Sequence, residues 1–448
     1  MAKNTTGLVL NAFFMRFGHH PAAWRHPSSR ANGRPDPGYW IDLAKKAEAA
    51  KFHTFFLADF IGRSNEGLER QSRIGGSFQF EPFTLLSAIA AQTKSIGIVA
   101  TVNTNFEHPY GVARKFASFD HLSQGRAGWN IVSSLSEATA KNFGLANPLG
   151  HGERYEQAEE FVNLAKALWD SYDDDAFDHP NRENNRFFDP RAAHPVRHQG
   201  RYFRSDGLLD IARPIQGYPV LVQAGNSDTG REFAAKIAEM IYASAQSFEV
   251  AKAYYADVKG RMAKYGRDPD QLKITPGLSV VVARTNQEAR DKFEQLQSRV
   301  DFTAASHLFE FDLSKYDLDG PLPELPETAN GRGRVKQLVE LARRENLTIR
   351  QLVLRFGVSR GHVQVIGSAR EVADVIEQWF TEGAADGFNV VPPLLPSGFD
   401  DFVELVVPEL QRRGLFHTEY AGRTYRENLG LVRPVNQHTL AVPNKATA

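Results

Sequence analysis

Short apolar runs followed by stretches of helical periodicity alternate eight times along this 448-residue chain, and that rhythm limits the fold more than any other feature. Gly7–Phe13 (GLVLNAF), Thr54–Asp59 (TFFLAD), Ile96–Thr101 (IGIVAT) and Ala127–Ser133 (AGWNIVS) read as the first four strands. Val220–Ala224, Met240–Ser244, Ile274–Val282 and Gly387–Val391 read as the next four. All are near-continuously apolar, as strands buried on both faces must be. Helical patterns separate them. The clearest places Tyr155, Ala158, Val162, Ala165, Trp169 and Tyr172 on one face, in steps of three and four. Strands alternating with helices imply parallel strands joined by right-handed crossovers. Eight such units suggest an α/β protein, a (β/α)8 TIM barrel. An open doubly wound sheet stays possible, because a strand count does not show closure.

Two stretches break the rhythm, one after strand four (about 173–198) and one after strand seven (about 300–360). The first is polar and reads as a surface insertion. The second carries PLPELPET and helical pieces, and a long βα loop of that kind suits a lid. The tail 431–448 lacks periodicity and is expected to wrap a neighbouring surface or fray. The reading is therefore one barrel domain over 1–448 with two insertions.

Charge and cysteine content narrow the chemistry. Lysine plus arginine equal aspartate plus glutamate at 53 each, so nothing pulls the whole chain toward nucleic acid or an anionic membrane. With no cysteine, disulfides, thiolate metal sites and cysteine nucleophiles are excluded. Neither a secretory leader pattern nor a membrane-length apolar run is visible, which makes the cytoplasm the default compartment. No Gly-x-Gly-x-x-Gly follows the first strand, no His-Glu-x-x-His occurs, and no Gly-x-Ser-x-Gly elbow is present. A Rossmann dinucleotide site, a zinc hydrolase and a serine hydrolase are thereby disfavoured, and no metal is expected.

In a barrel, the polar residues that matter lie at the C-terminal ends of the strands. Asp59 ends strand two; its plain structural role would be to cap the next segment or pair with Arg63. Asn103 and Thr104 follow strand three and could simply satisfy turn backbone. Asn130 lies in strand four. Gln223–Gly230 (QAGNSDTG) runs from strand five into a helix, where free N–H groups beside small residues and hydroxyls such as Ser227 suit a phosphate. Thr229 and Glu232 also have capping-box spacing, so an ordinary N-cap explains the same segment. His151 and Tyr155, four residues apart, share one face of a helix start.

A set of ordered segments then points to a family: AWRHP (Ala23–Pro27), FLADF (Phe56–Phe60), TVNTNFEHPYGVAR (Thr101–Arg114), LSQGRAGWNIV (Leu122–Val132), HGERYEQAEEF (His151–Phe161), PIQGYPVLVQAGNSDTGREFAA (Pro214–Ala235) and, near the end, GFNVVPP and VVPELQRRG. In these the chain resembles the bacterial-luciferase-like superfamily, and within it the nitrilotriacetate, dibenzothiophene-sulfone and pristinamycin-type FMN-dependent monooxygenases. The resemblance implies a barrel with FMN over the C-terminal strand ends. Matched residue by residue, the flavin contacts would be Asp59, Thr104, His151, Tyr155 and Ser227, with Tyr155 and Ser227 at the phosphate. One departure is Asn103–Thr104–Asn105, where the family usually reads Ser-Thr-Thr.

The implied activity is that of an oxygenase component that receives reduced FMN from a separate NAD(P)H:flavin reductase and uses O2 to oxygenate a small organic substrate, one containing sulfur or nitrogen among the options. Phe13, Trp24, Phe56 and Trp129 would line the substrate side; for the strand aromatics, ordinary barrel core is the competing reading. His20 is the candidate general base, and Asn130 a candidate hydrogen-bonding group. A homodimer or homotetramer is implied by the family. Two rivals remain: a deazaflavin (F420)-dependent oxidoreductase that transfers hydride without O2, and a non-catalytic flavin-binding barrel.

Overall fold

The computed structural model describes residues 7–30, 34–59, 61–62, 68–73, 75, 80–133, 137–145, 149–302, 316–323, 339, 342–359 and 361–440. In chain order its strands are β1 (Val9–Phe13), β2 (Thr54–Leu57), β3 (Gly97–Asn103), β4 (Ala127–Val132), β5 (Val196–Gln199), β6 (Arg204–Gly207), β7 (Val220–Gln223), β8 (Met240–Ala243), β9 (Lys273–Ala283), β10 (Val363–Ser368) and β11 (Gly387–Val390). Eight of them run parallel in the order β1-β2-β3-β4-β7-β8-β9-β11, and β11 pairs back onto β1 with Val9 opposite Gly387. The sheet is thus closed, and all eight strands read from the sequence are its staves. A (β/α)8 barrel is the result.

Closure explains the apolar runs. Successive side chains alternate between lumen and helix layer. Val9, Phe13, Phe56, Val99, Val220, Val222, Met240 and Val391 form one buried cluster inside. Leu10, Ala12, Phe55, Leu57, Ile98, Ala100, Ala127, Trp129 and Ile131 belong to the larger cluster shared with the surrounding helices.

The strand β10 was not expected. The strand β9 is eleven residues long. Its first residues pair with β8, Gly277 and Leu278 pair with β11, and Leu278–Ala283 run beyond the barrel to pair with β10. The first insertion is better organised than its polarity suggests: Phe177 and Phe188 pack on Tyr172, and at its end the chain enters β5, which forms an antiparallel hairpin with β6 just beyond it. Tyr172 lies past the end of the helix His151–Trp169, so it does not extend that helix's stripe. Most of the second insertion, and with it the expected lid, falls outside the described residues.

The C-terminal segment closes the barrel's floor. Tyr425, Leu429 and Leu431 join the interior cluster. A Cβ on Gly97, the first residue of β3, would fall 2.1 Å from Cδ2 of Tyr425, so only glycine admits that ring. With the N-terminal end plugged, the open end is the C-terminal mouth. Beyond it, Asn436 Nδ2 donates to Tyr172 O at 2.8 Å and His438 stacks on His194 at 4.1 Å; residues 441–448 of the tail fall outside the described residues.

Candidate active site

The strand β7 feeds, through Ala224–Asn226, the helix Asp228–Ile237. Ser227 is its N-cap, with φ −67° and ψ 158°, and its Oγ accepts from Gly230 N at 3.1 Å. The cap is therefore Ser227 and not Thr229; Glu232 instead pairs with Arg261 at 3.2 Å. Tyr155 reaches the same place from the helix His151–Trp169. A Cβ built on Gly230 would lie 2.9 Å from Tyr155 Oη and 3.1 Å from Ser227 Oγ. Two hydroxyls and the first-turn N–H groups thus converge on a position that glycine keeps open, beside the positive end of a helix dipole. The Tyr155 ring is held edge-on by Phe233 at 5.7 Å. His151 opens the Tyr155 helix; its side chain lies outside the described residues.

Across the mouth, a cavity of about 370 Å³ opens at the ends of β2 and β3, lined by Asp59, Glu81, Thr101, Asn103, Glu107 and Phe143 among others. Burial, and secondarily the charge on Glu81, push the Asp59 carboxyl up to about 6. Thr101 Oγ1 donates to Leu57 O at 2.9 Å and receives Asn130 Nδ2 at 3.0 Å. That leaves Asn130 Oδ1 buried with no hydrogen-bond partner among the described residues. An acceptor stranded in the lumen awaits a donor, and a flavin ring system carries one. Thr104 is fully buried, and both its N–H and Oγ1 point to Val132 O, at 2.9 and 3.3 Å. Asn103 Oδ1 accepts from Asn105 N at 2.9 Å, the side-chain turn that fits this sequence.

Four aromatics were expected on the substrate side, and the structure separates them. Phe13 and Phe56 meet in the lumen, 4.6 Å apart. Trp24 lies not on a stave but in the turn Ala23–Arg25 of the loop after β1, on the mouth side; a Cβ on Gly75 would fall 2.3 Å from its ring. Trp129 is not at the mouth. Strand alternation turns it outward, where Phe116, Phe161 and Trp169 surround it and its Nε1 donates to Val102 O at 3.4 Å. His20 is buried and turns into its own loop, Nδ1 accepting from Ala22 N at 3.0 Å. Sequence reasoning missed Tyr242 of β8, which joins Phe13 in the lumen at 5.0 Å, and His362, which bonds to it at 2.6 Å. Among the described residues no group of three or more His, Cys, Asp or Glu is placed to hold a metal.

Comparison with known proteins gives consistent matches. Residues 15–386 match the family model described as luciferase-like monooxygenase. The chain is 44% identical to nitrilotriacetate monooxygenase component A of Aminobacter aminovorans, over 95% of this chain and 97% of that one. It is 42% identical to N-acetyl-S-(2-succino)cysteine monooxygenase of Bacillus subtilis (strain 168), over 98% and 100%. The crystal structure of DmoA from Hyphomicrobium sulfonivorans superposes with a TM-score of 0.86 at 32% identity, covering 94% of this chain and 92% of that one.

Proposed function

Because the chain belongs to the luciferase-like monooxygenase family, we propose that it is the oxygenase component of a two-component system, taking reduced FMN from a separate NAD(P)H:flavin reductase and using O2 to oxygenate a small organic molecule. The observation that carries this reading is the cradle at Gly230, where Tyr155 Oη and Ser227 Oγ flank one open position at a helix N-terminus. The orphaned Asn130 Oδ1 supports it from inside the barrel. Tyr155, Ser227 and the first-turn N–H groups would hold the FMN phosphate, with Asp59, Thr104 and His151 as further contacts. Bound reduced flavin supplies the electrons that activate O2. The protein's own part is to bind, orient and keep water away: Phe13 and Phe56 present apolar surface beneath the mouth, and the Tyr425 plug seals the far end.

The two relatives at highest identity above act, by their names, on nitrilotriacetate and on N-acetyl-S-(2-succino)cysteine. A substrate containing nitrogen or sulfur is the corresponding proposal for this chain. No helix among the described residues is long and apolar enough to cross a membrane; cytoplasmic residence and a homodimer or homotetramer are part of the same proposal. The test is anaerobic titration with reduced and oxidised FMN, then mixing of the reduced complex with O2. Tighter binding of the reduced form and O2 consumption tied to flavin reoxidation are expected. Binding of a deazaflavin in place of FMN would defeat the proposal.

A further inference from the structure

The wall of the mouth formed by β8 and β9 carries a pair that no flavin contact above uses. Tyr242 points from β8 into the lumen, its ring edge-on to Phe13 at 5.0 Å and 6.1 Å from Phe56. Its hydroxyl lies 2.6 Å from Nε2 of His362. His362 arrives 120 positions later, just before β10, and its ring rests on β9 at Gly277, where a Cβ would fall 2.5 Å from Nδ1. The turn that delivers it is tied to β8 by Ser244 Oγ, which donates to Gly361 O at 2.7 Å. Gly361 holds φ +86°, a conformation that favours glycine. Three elements therefore fix one hydroxyl–imidazole bond beside the lumen aromatics, and both residues are only half-buried, unlike the Phe13–Phe56 core beneath them.

We propose that Tyr242 and His362 form the proton relay of the oxygenation, with Tyr242 the group that reaches the reacting oxygen and His362 the positioning residue behind it. This rests on the flavin reading above. In monooxygenation the reduced flavin gives up two electrons and two protons; one atom of O2 passes to the substrate and the other leaves as water. A proton has to reach the departing oxygen atom. The Tyr242 O–H bond breaks as it supplies one, the protonated His362 imidazolium restores it along the 2.6 Å bond, and one of the two protons released in the overall reaction returns the imidazole to imidazolium. Both residues end as they began, so protons and electrons balance.

The experiment uses the full chain loaded with reduced FMN and mixed with O2 in a single turnover, with flavin reoxidation as the signal. FMN affinity and the denaturation midpoint are measured beside it. Tyr242→Phe keeps the ring and its packing; His362→Ala empties the imidazole site. Expected are reoxidation slowed by about 10²-fold in both, FMN affinity and midpoint unchanged in Tyr242→Phe, and recovery of His362→Ala, but not of Tyr242→Phe, by added imidazole. Wild-type reoxidation in Tyr242→Phe overturns the relay, and so does slowing matched by lost FMN binding or lost stability, which marks a mere brace. If the unaltered protein neither binds reduced FMN nor consumes O2, the flavin reading fails and the relay with it.

Discussion

The hydroxyls of Tyr155 and Ser227 meet over Gly230, where an added Cβ would sit 2.9 Å from the first and 3.1 Å from the second. The two residues come from different helices and lie 72 positions apart in sequence; the pairing of β4 with β7, the strands these helices follow, brings them together. Gly230 separates binding from folding. In Gly230→Ala, helix propensity favours alanine by about 1 kcal/mol, while the new methyl pushes against the Tyr155 hydroxyl and intrudes on the phosphate position. We expect a denaturation midpoint at or near wild type and FMN binding weakened about tenfold, or about 1.4 kcal/mol. Titration calorimetry beside a urea melt reads both. Lost stability with intact affinity would assign the glycine to helix packing alone.

Asp59 gives a pH signature. Its carboxyl is raised to about 6, mainly by burial and then by Glu81, against about 3.9 for an unfolded aspartate. Between those values the folded chain binds more protons than the unfolded one, so this group's contribution is fully present below about pH 4 and is lost as pH rises through about 6. In Asp59→Asn that contribution to the pH dependence should vanish, and stability at pH 7 should equal or exceed wild type. Denaturant midpoints at pH 5 and pH 7 for both proteins check the sign. A wild type that gains on Asp59→Asn as pH rises across this window would contradict the assignment.

How much of this was legible in the sequence follows from burial. A stave covered on both faces must be apolar throughout, so all eight strands announce themselves. The strand β10 is half-buried along most of its length and pairs only with the overhang of β9, so no long apolar run marks it. The same continuity hides which face a residue takes: Gly128 and Asn130 look inward, and Trp129 between them looks out. That Ser227 opens a helix was readable from the QAGNSDTG segment, and capping is the plain use of such a hydroxyl; its meeting with Tyr155 over Gly230 was not, because the two lie 72 positions apart. Tyr242 and His362 were not, because nothing local links positions 120 apart.

Tyr425 tests the floor. It is fully buried, bonds Thr54 Oγ1 at 2.6 Å, and fills space that Gly97 leaves. Tyr425→Ala should cost about 3–5 kcal/mol, as deletions of buried aromatics do. Tyr425→Phe, which removes only the hydrogen bond and strands the Thr54 hydroxyl, should cost about 1–3 kcal/mol. Chemical denaturation of the two variants measures the ratio. An alanine variant within about 1 kcal/mol of wild type would show that the C-terminal segment lies against the barrel without supporting it.

Asn130 offers the sharpest separation of stability from function. Its Nδ2 holds Thr101 Oγ1 at 3.0 Å, but its Oδ1 has no partner among the described residues, and a buried acceptor left that way costs free energy in the folded chain. Leucine is of similar size and carries no polar atom. In Asn130→Leu, Thr101 keeps its bond to Leu57 O, so no new group is stranded and the orphan is removed. The expected outcome is a protein as stable as wild type or more so, by up to about 1–3 kcal/mol, that binds reduced FMN at least about tenfold more weakly. Thermal melts with and without FMN discriminate the cases: the flavin-free variant should melt at or above wild type, and FMN should raise the midpoint of wild type more than that of Asn130→Leu. A variant that is less stable when flavin-free, yet shifted equally by FMN, would mean that Asn130 serves the barrel's own hydrogen bonding and never meets the cofactor.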